Sequence, residues 1–543
     1  WFENTVSSFI GQTSGMAAGT LASRITGVFR DIALVAAIGT GVFSDTYSVA
    51  NSIPNIIYIL IAGGAINAVF IPALVRHMED DEDQGKQFTD QLLTLVGLVL
   101  FGIVILTVLI AGLIVHLYAT RLWSPQEFDV ATMFARWCLP QIFFYGIYTL
   151  ASQILNSRNS FSLPMYAPIV NNVIVIATAA IFISLMSAVP TASSVTSAQI
   201  NLLGFGTTLG VMAQAMILIP ALRKAGYSFR PNFKFKNVGN GKVGNLAKWT
   251  IGFVLVNQVT FLMVSNLTTL ANVLVAGNPD TVAVGFTSYQ KGQLMMMLPH
   301  SIITVSVITA LLPRLSRQAH DKDLSAFGGE LSASLRLVTA LIIPSAVFLL
   351  AAGPWIGALL YGYGASSTAQ GAALDAVASM FALGLPAFSL FYVLLRSYYA
   401  QENTKTPFMI NLGFNALHIL IGFALFSLLP DGLQVAGLAL GYSLSYVITC
   451  GLTWHRVGKR VPEIRKNGHF RLMVRVVSSS LLSALVGYVL VRLTITNQTE
   501  LSALRLGLAI GVFATSFSLI FLGLAKVLRI SEVLAVLALV RRK

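Results

Sequence analysis

The sequence predicts an all-α, polytopic membrane protein with about fourteen transmembrane helices. Composition gives the first indication, because 55% of the 543 residues are apolar and only 10% are charged, whereas soluble domains carry roughly 25% charged residues. The mean hydropathy of +0.76 agrees with this. The second indication is the alternation of long apolar runs with short polar connections. A set of soluble domains is therefore excluded.

Each apolar run is long enough to cross a bilayer as a helix, for which about 20 residues are needed. In the first half the runs lie near residues 13–37, 43–75, 88–116, 130–155, 162–187, 198–222 and 246–275. In the second half they lie near residues 284–312, 326–352, 373–399, 406–429, 432–454, 472–493 and 503–527.

Basic residues indicate the orientation of these helices. They cluster in alternate connections, above all in 223–248 and 456–475. Cytoplasmic loops carry an excess of Lys and Arg, so we expect these connections and both termini to face the cytoplasm. The net charge of +14 lies mostly in these connections and the tail, and attraction to anionic lipid headgroups explains it better than nucleic acid does.

A weak internal repeat predicts two six-helix lobes with pseudo-twofold symmetry, plus two extra C-terminal helices. Gly64 to Arg76 can be laid on Val305 to Arg317, and Asn156 to Asn172 on Tyr399 to Asn415. About six runs separate the copies, an even number, so the symmetry axis runs along the membrane normal. We predict an N-terminal lobe in 1–224, a basic cytoplasmic linker in 225–245, a C-terminal lobe in 246–457, and helices 13 and 14 with a cytoplasmic tail in 458–543.

Charged residues interrupt the first two runs. Arg24, Arg30, Asp31 and Asp45 stand where hydrocarbon is expected, and each charge at bilayer depth costs about 2.5 to 3.5 kcal/mol on insertion scales. They therefore predict a polar cavity shielded from lipid. In a bland interpretation, the arginines pair with Asp31 or Asp45 and hold helices one and two together. In a functional interpretation, their guanidinium groups bind a diphosphate bidentately.

Three stretches carry a resemblance to a known family. They are Ser23-Arg24-x-x-Gly27-x-x-Arg30-Asp31, followed by Asp45, Pro54-Asn55 and Pro72; Ile154 to Asn156 through Pro164 and Pro168; and Pro299 through Leu312-Pro313-Arg314 to Arg317. Together they resemble the MurJ (MviN) lipid II flippases of the MOP (multidrug/oligosaccharidyl-lipid/polysaccharide) transporter superfamily. Gly63-Gly64 and Gln290 to Gln293 look most like the actinobacterial branch.

The resemblance implies a transporter of the bacterial cytoplasmic membrane that flips lipid-linked peptidoglycan precursor from the inner to the outer leaflet by alternating access. Its partners would be lipid II, membrane lipids, and cell-wall synthesis or division proteins. The two extra helices would add a groove for the isoprenoid tail. We predict the following substrate-binding residues: Arg24, Arg30, Asp31, Asp45, Asn55, Tyr58, Lys291 and Gln293.

The sequence departs from the better-known flippases at three places. These carry an arginine near Tyr58, a glutamate where Gly63 stands, and an arginine near Leu294. Lys291 and Gln293 are the candidates to replace the last of these cations. The departures put a transferred cluster of three arginines in doubt.

Other functions remain as alternatives. A flippase for another isoprenoid-diphosphate oligosaccharide would keep the arginines, whereas a multidrug cation exporter should have a cavity dominated by carboxylates. A non-transporting membrane scaffold would tolerate loss of Arg24. We predict no enzyme, cofactor or metal, because the seven histidines include no pair at metal-ligand spacing.

We expect transport to respond to the membrane potential and not to a sodium gradient. Runs seven, eight, nine, eleven and twelve lack a central carboxylate, which a tight site for a hard cation usually needs. The amides of Asn257, Asn411 and Asn415 could form only a weak site.

Overall fold

The computed structural model describes residues 2–65, 85–158, 160–235, 244–276, 281–282, 284–466, 468–494 and 502–541. Every regular element in these ranges is a helix, which confirms the predicted all-α class. In the first half the helices are α1 (Phe2–Ile38), α2 (Val42–Ala65), α3 (Lys86–Leu109), α4 (Ala111–Tyr118), α5 (Pro125–Cys138), α6 (Gln141–Ser157), α7 (Ser162–Ser184), α8 (Ser197–Met216), α9 (Leu218–Lys224) and α10 (Gly244–Val275).

The second half continues in the same way, with one π-helical turn. Its helices are α11 (Phe286–Pro299), the π-helix His300–Thr304, α12 (Val305–His320), α13 (Leu324–Tyr361), α14 (Thr368–Tyr399), α15 (Lys405–Leu428), α16 (Gln434–Arg460), α17 (Glu463–Lys466), α18 (His469–Thr494), α19 (Ala503–Val527) and α20 (Ser531–Arg541).

Twelve helical segments of the described chain are long and apolar enough to cross a membrane. They correspond in order to predicted runs three to fourteen, while runs one and two correspond to α1 and α2. The third run is not one helix, because the backbone turns at Ile110 between α3 and α4. The eighth contains the π-helical turn directly after Pro299, whose missing N–H group removes an α-helical hydrogen bond.

Local sequence signals begin several of these helices. Ser124, Thr196 and Ser367 each form a capping box, in which the cap side chain and that of the residue three positions on exchange hydrogen bonds with the backbone. Such a box satisfies N–H groups that the first helical turn leaves without partners.

The chain forms two compact units, one of residues 1–273 with 363–366 and the other of residues 274–362 with 367–543. The first unit therefore ends near the end of α10, later than the predicted start of the C-terminal lobe at 246. Polar contacts explain this, because Ser265 and Asn266 of α10 donate to the carbonyl groups of Tyr118 and Leu117. The predicted lobe boundaries stay a prediction, and part of the predicted linker (236–243), like Pro72, lies outside the described residues.

In the first unit α7 packs against both α1 and α8. Small residues permit the close approach of α7 and α8. A methyl group added at Gly206 would come within 2.3 Å of the Thr178 hydroxyl, and one added at Gly210 within 2.3 Å of the Asn171 side chain. Glycine at a helix interface lets two backbones approach closely in a membrane. This packing fixes the distance between α1 and the polar side chains of α7.

The second unit is built around α14, which packs against α11, α13 and α16. The two C-terminal spanning helices, α18 and α19, pack on α13 through an apolar cluster that includes Ile343, Trp355, Val476 and Phe513. The Phe513 side chain is fully buried there. The predicted extra helices are thus part of the packed core of this unit.

Candidate functional site

Arg30 is held in place by two neighbours on α1 and α7. Its Nη1 donates to the amide oxygen of Asn172 at 3.2 Å, and its Nη2 to Asp31 Oδ1 at 3.5 Å. The side chain is still 32% exposed. Because a guanidinium group has five N–H donors, Arg30 keeps donors for a further acceptor.

Asn172 is the residue that sequence reasoning missed. Its Nδ2 donates to the Ser23 carbonyl oxygen at 3.1 Å and to the Thr26 hydroxyl at 2.9 Å. One amide therefore uses its donors to tie α7 to α1 and its acceptor to orient Arg30. The signal that could have revealed it is the internal repeat, which lays Asn172 over Asn415 inside an apolar run.

Arg24 is exposed, and it makes no hydrogen bond or ion pair with another described residue. It precedes Arg30 by six residues, so about 600° of helix separates the two, which leaves them about 120° apart around α1. The two guanidinium groups thus differ in environment. Arg24 is accessible, whereas Arg30 is half-buried and oriented by Asn172.

The two predicted carboxylates are buried. Asp31 is 4% exposed and pairs with Arg30. Asp45 is 0% exposed and accepts a hydrogen bond of 2.7 Å from Nδ2 of Asn272 on α10. Among the predicted site residues of the first unit, the accessible charges are therefore those of the arginines.

Tyr58 begins a chain of polar contacts between α2, α6 and α8. Its hydroxyl donates to Thr149 at 2.6 Å, and its ring lies 5.8 Å from that of Tyr145. The Tyr145 hydroxyl donates to Gln141, whose Nε2 in turn donates to the Thr208 hydroxyl at 3.1 Å and to the Asn51 side chain of α2 at 3.3 Å. These contacts fix the Tyr58 ring.

Asn55 is exposed and makes no hydrogen bond with another described residue. Lys291 and Gln293 belong to α11, in the second unit, and both are half-buried. Between them Gly292 packs directly against Val377 and the backbone of Ala378 on α14. The side chains of residues 291 and 293 therefore project from a helix that is fixed against the centre of its unit.

These contacts decide part of the bland interpretation of the arginines. It is confirmed for Arg30, which pairs with Asp31, and wrong for Arg24, which pairs with neither carboxylate. Arg30 itself bonds to Asn172 and Asp31 and not to Asp45. An accessible guanidinium without a protein partner suits recognition of an anion.

A family model described as "Lipid II flippase MurJ" matches residues 34–510 of this chain. The chain belongs to the MurJ family. Arg24, Arg30 and Asp31 lie just before the matched range, whereas Asp45, Asn172 and Asn272 lie inside it.

Individual relatives agree with this. The chain is 28% identical to the lipid II flippase MurJ of Burkholderia cenocepacia over 471 residues, which cover 86% of this chain and 87% of that protein. It is 28% identical to the probable lipid II flippase MurJ of Thermotoga maritima over 527 residues, which cover 97% and 98%.

Solved structures show the same fold. A lipid II flippase MurJ in an inward closed conformation matches with a TM-score of 0.71 at 22% identity, over 94% of this chain and 99% of that one. An inward-facing MATE multidrug transporter of the MOP superfamily matches with a TM-score of 0.64 at 11% identity, over 82% and 96%. The MurJ fold of this chain is thus one that the MOP superfamily shares.

Proposed function

We propose that this chain moves lipid II from the inner to the outer leaflet of the bacterial cytoplasmic membrane, as a transporter that catalyses no chemical reaction. The observation that carries the proposal is the difference in exposure between the charges on α1 and α2. Arg24 is exposed and Arg30 is partly exposed, whereas Asp31 and Asp45 are buried. The charge offered to a substrate is therefore positive, which suits a diphosphate.

The same observation distinguishes this function from the other transporters that share the fold. A multidrug cation exporter needs accessible carboxylates, and those on α1 and α2 are buried and hydrogen-bonded. A flippase for another isoprenoid-diphosphate glycan would use the same arginines, so the family match to lipid II flippases favours lipid II.

In the proposed mechanism the diphosphate binds to Arg24 and Arg30, and Asn172 holds the second guanidinium group in the orientation that a bidentate contact needs. Asn55 and Tyr58 lie on the next helix as polar contacts for the headgroup. Lys291 and Gln293 would contact it from the second unit. Alternating access then transfers the headgroup across the membrane, with both termini and the Arg456 to Arg475 connection in the cytoplasm.

The experiment is complementation in bacteria depleted of their own flippase, with lipid II in the outer leaflet measured directly. We expect this chain to restore growth, cell shape and outer-leaflet lipid II together. Rescue of growth without outer-leaflet lipid II would indicate a scaffold. Export of a cationic dye with no change in lipid II would indicate a multidrug exporter, and either result would overturn the proposal.

A further inference from the structure

A buried cluster of oxygen atoms lies where α2, α10 and the turn after α1 meet in the first unit. Thr40, Asp45 and Asn272 are all 0% exposed. Nδ2 of Asn272 donates to Asp45 Oδ2 at 2.7 Å and to the Thr40 carbonyl oxygen at 3.3 Å. One amide therefore joins the carboxylate to the backbone of the turn.

Two other polar atoms of this cluster lack a hydrogen-bond partner within the described part of the chain. They are the hydroxyl oxygen of Thr40 and the amide oxygen of Asn272. A buried polar atom left without a partner costs about 1 to 3 kcal/mol, and a bound ion is one of the usual reasons for such an atom in a native protein. The Asn272 oxygen belongs to the amide group that touches Asp45, so it lies within a few ångström of the carboxylate.

The charge of the cluster has the sign that a cation requires. The Asn272 amide is neutral, so its hydrogen bond satisfies Asp45 without compensating the carboxylate charge. An ionised carboxylate away from water is costly unless an opposite charge lies beside it. A rotation of the amide by about 180° would replace Nδ2 by the oxygen atom and complete a set of acceptors.

We propose that Asp45, Asn272 and Thr40 bind a sodium ion. The donors would be the Asp45 carboxylate, the Asn272 amide oxygen, and the hydroxyl and carbonyl oxygens of Thr40, which are hard oxygen ligands of the kind that hard cations prefer. A single carboxylate balances one positive charge, so a monovalent ion fits better than a divalent one. The site is distinct from the substrate-binding residues that carry the proposed transport function, apart from the earlier assignment of Asp45 to them.

The pattern on α10 supports a polar site at this position. Ser265, Thr268, Thr269 and Asn272 recur at helical spacing and are all 0% exposed. Ser265 and Thr269 bond to the backbone around Tyr118 and Thr120, which fixes the helix and leaves Asn272 at its end beside Asp45. The sequence search for a sodium site considered carboxylates in the second half of the chain and passed over Asp45.

The test is binding of radioactive sodium to the purified full chain, measured by scintillation proximity at constant ionic strength in choline chloride. We expect saturable binding with one site per chain. Asp45→Asn, which keeps the size of the side chain, should abolish it, and Asn272→Ala should weaken it by about tenfold or more. Thermal unfolding with and without sodium gives a second readout, because an ion that binds only the folded state raises its stability.

The matched control is Asp90→Asn, which removes another buried carboxylate of the same unit. It should lower stability and leave sodium binding unchanged. Sodium binding that survives Asp45→Asn, or no sodium binding by the wild-type chain, would overturn the proposal. Stabilisation by potassium alone, or by acid alone through Asp45, would also overturn it and would assign the cluster to potassium or to a proton. If Asp45→Asn fails to fold, Asn272→Ala and the wild-type titration decide.

Discussion

Arg30 on α1 and Asn172 on α7 are joined by a hydrogen bond of 3.2 Å from the guanidinium Nη1 to the amide oxygen. The same amide holds α1 through Ser23 and Thr26. A residue that no charge or motif marked thus determines the direction in which a proposed substrate-binding arginine points. Its role is positioning, because it acts through Arg30.

Asn172→Ala should lower the affinity for lipid II by about tenfold. Hydrogen bonds to charged groups contribute about 1.5 to 3 kcal/mol, and 1.4 kcal/mol corresponds to a factor of ten in affinity. The measurement is binding of lipid II to purified protein beside thermal unfolding. Asn171→Ala is the matched control, because this neighbour makes no hydrogen bond with another described residue. Equal lipid II affinity in the two variants would contradict a positioning role.

Arg24→Ala should abolish the appearance of lipid II in the outer leaflet while the protein stays folded. Arg24 is exposed and without protein contacts, so its removal should change the free energy of unfolding by no more than about 0.5 kcal/mol. Arg24→Lys should restore flipping only in part, because an ammonium group keeps the charge and loses the planar fork. The control is Arg505→Ala, an exposed arginine of α19. Normal flipping by Arg24→Ala at normal abundance would refute the assignment.

The segment after α9 is fastened to α3 through Asp90. Its Oδ1 accepts from the Tyr227 hydroxyl at 2.7 Å and from the Arg230 backbone N–H at 3.2 Å. Tyr227→Phe removes one donor from a buried carboxylate, and we expect it to lower the free energy of unfolding by about 1 to 3 kcal/mol. Thermal unfolding measures this. Tyr363→Phe, at an exposed tyrosine, should leave the unfolding temperature unchanged.

The contribution of Tyr227 should depend on pH in one direction. Burial and the neighbouring Asp90 carboxylate raise the pKa of the Tyr227 phenol above its ordinary value. A pKa raised by folding gives stability that is complete below the pKa of the unfolded chain, about 10 for tyrosine, and is lost as the pH rises through the folded value. The difference between wild type and Tyr227→Phe should thus be constant near neutral pH and shrink only above about pH 10. A difference that shrinks on acidification would contradict this.

The C-terminal helix α20 is docked on α13 by an ion pair. Nε and Nη2 of Arg336 donate to Glu532 Oε1 at 2.6 and 2.5 Å, and the two side chains are only 25% and 12% exposed. Such a pair lies between an exposed one, worth about 0 to 1 kcal/mol, and a buried one, whose breaking costs about 3 to 5 kcal/mol.

Arg336→Ala should therefore release α20. The measurement is thiol labelling of Val533→Cys, a position that is 4% exposed in the docked helix. Labelling should be slow with Arg336 and fast with Arg336→Ala, and always fast at the exposed position Ala535→Cys. Arg314→Ala is the control, because it breaks the pair of Arg314 with Glu330, whose arginine is 67% exposed. Slow labelling of Val533→Cys in Arg336→Ala would show that apolar contacts alone hold the helix.

The spanning helices could be predicted from the sequence because apolar runs of bilayer length have few other structures available to them. The breaks inside them could be predicted less well. Pro299 marks the π-helical turn, but Ile110 carries no signal for the turn between α3 and α4. Helix α20 was expected only as a tail, since its docking depends on Arg336, which lies 196 residues earlier.

The candidate site could be predicted where charge is conspicuous and not where neutral amides act. Arg24, Arg30, Asp31 and Asp45 stand out in apolar runs, whereas Asn172 and Asn272 look like ordinary helix-packing amides. Their roles depend on which side chain lies opposite on another helix. That is a property of the packing of α1 with α7 and of α2 with α10, which periodicity along one helix does not contain.

The membrane potential is expected to drive the proposed transport, and a sodium gradient is not. Lipid II carries diphosphate and peptide carboxylate charges, and moving one charge through the full potential corresponds to about 2.3 kcal/mol per 100 mV. An inside-negative potential therefore favours outward movement of the anionic headgroup. The proposed sodium ion lies in a cluster that is 0% exposed, so it should stabilise the first unit and not flow with each cycle. In vesicles that contain the purified chain, collapsing the potential at constant sodium should slow flipping, and equalising sodium on both sides at constant potential should not. Loss of flipping on equalising sodium would show that the gradient drives transport. Unchanged flipping at zero potential would show that the charge of the headgroup does not.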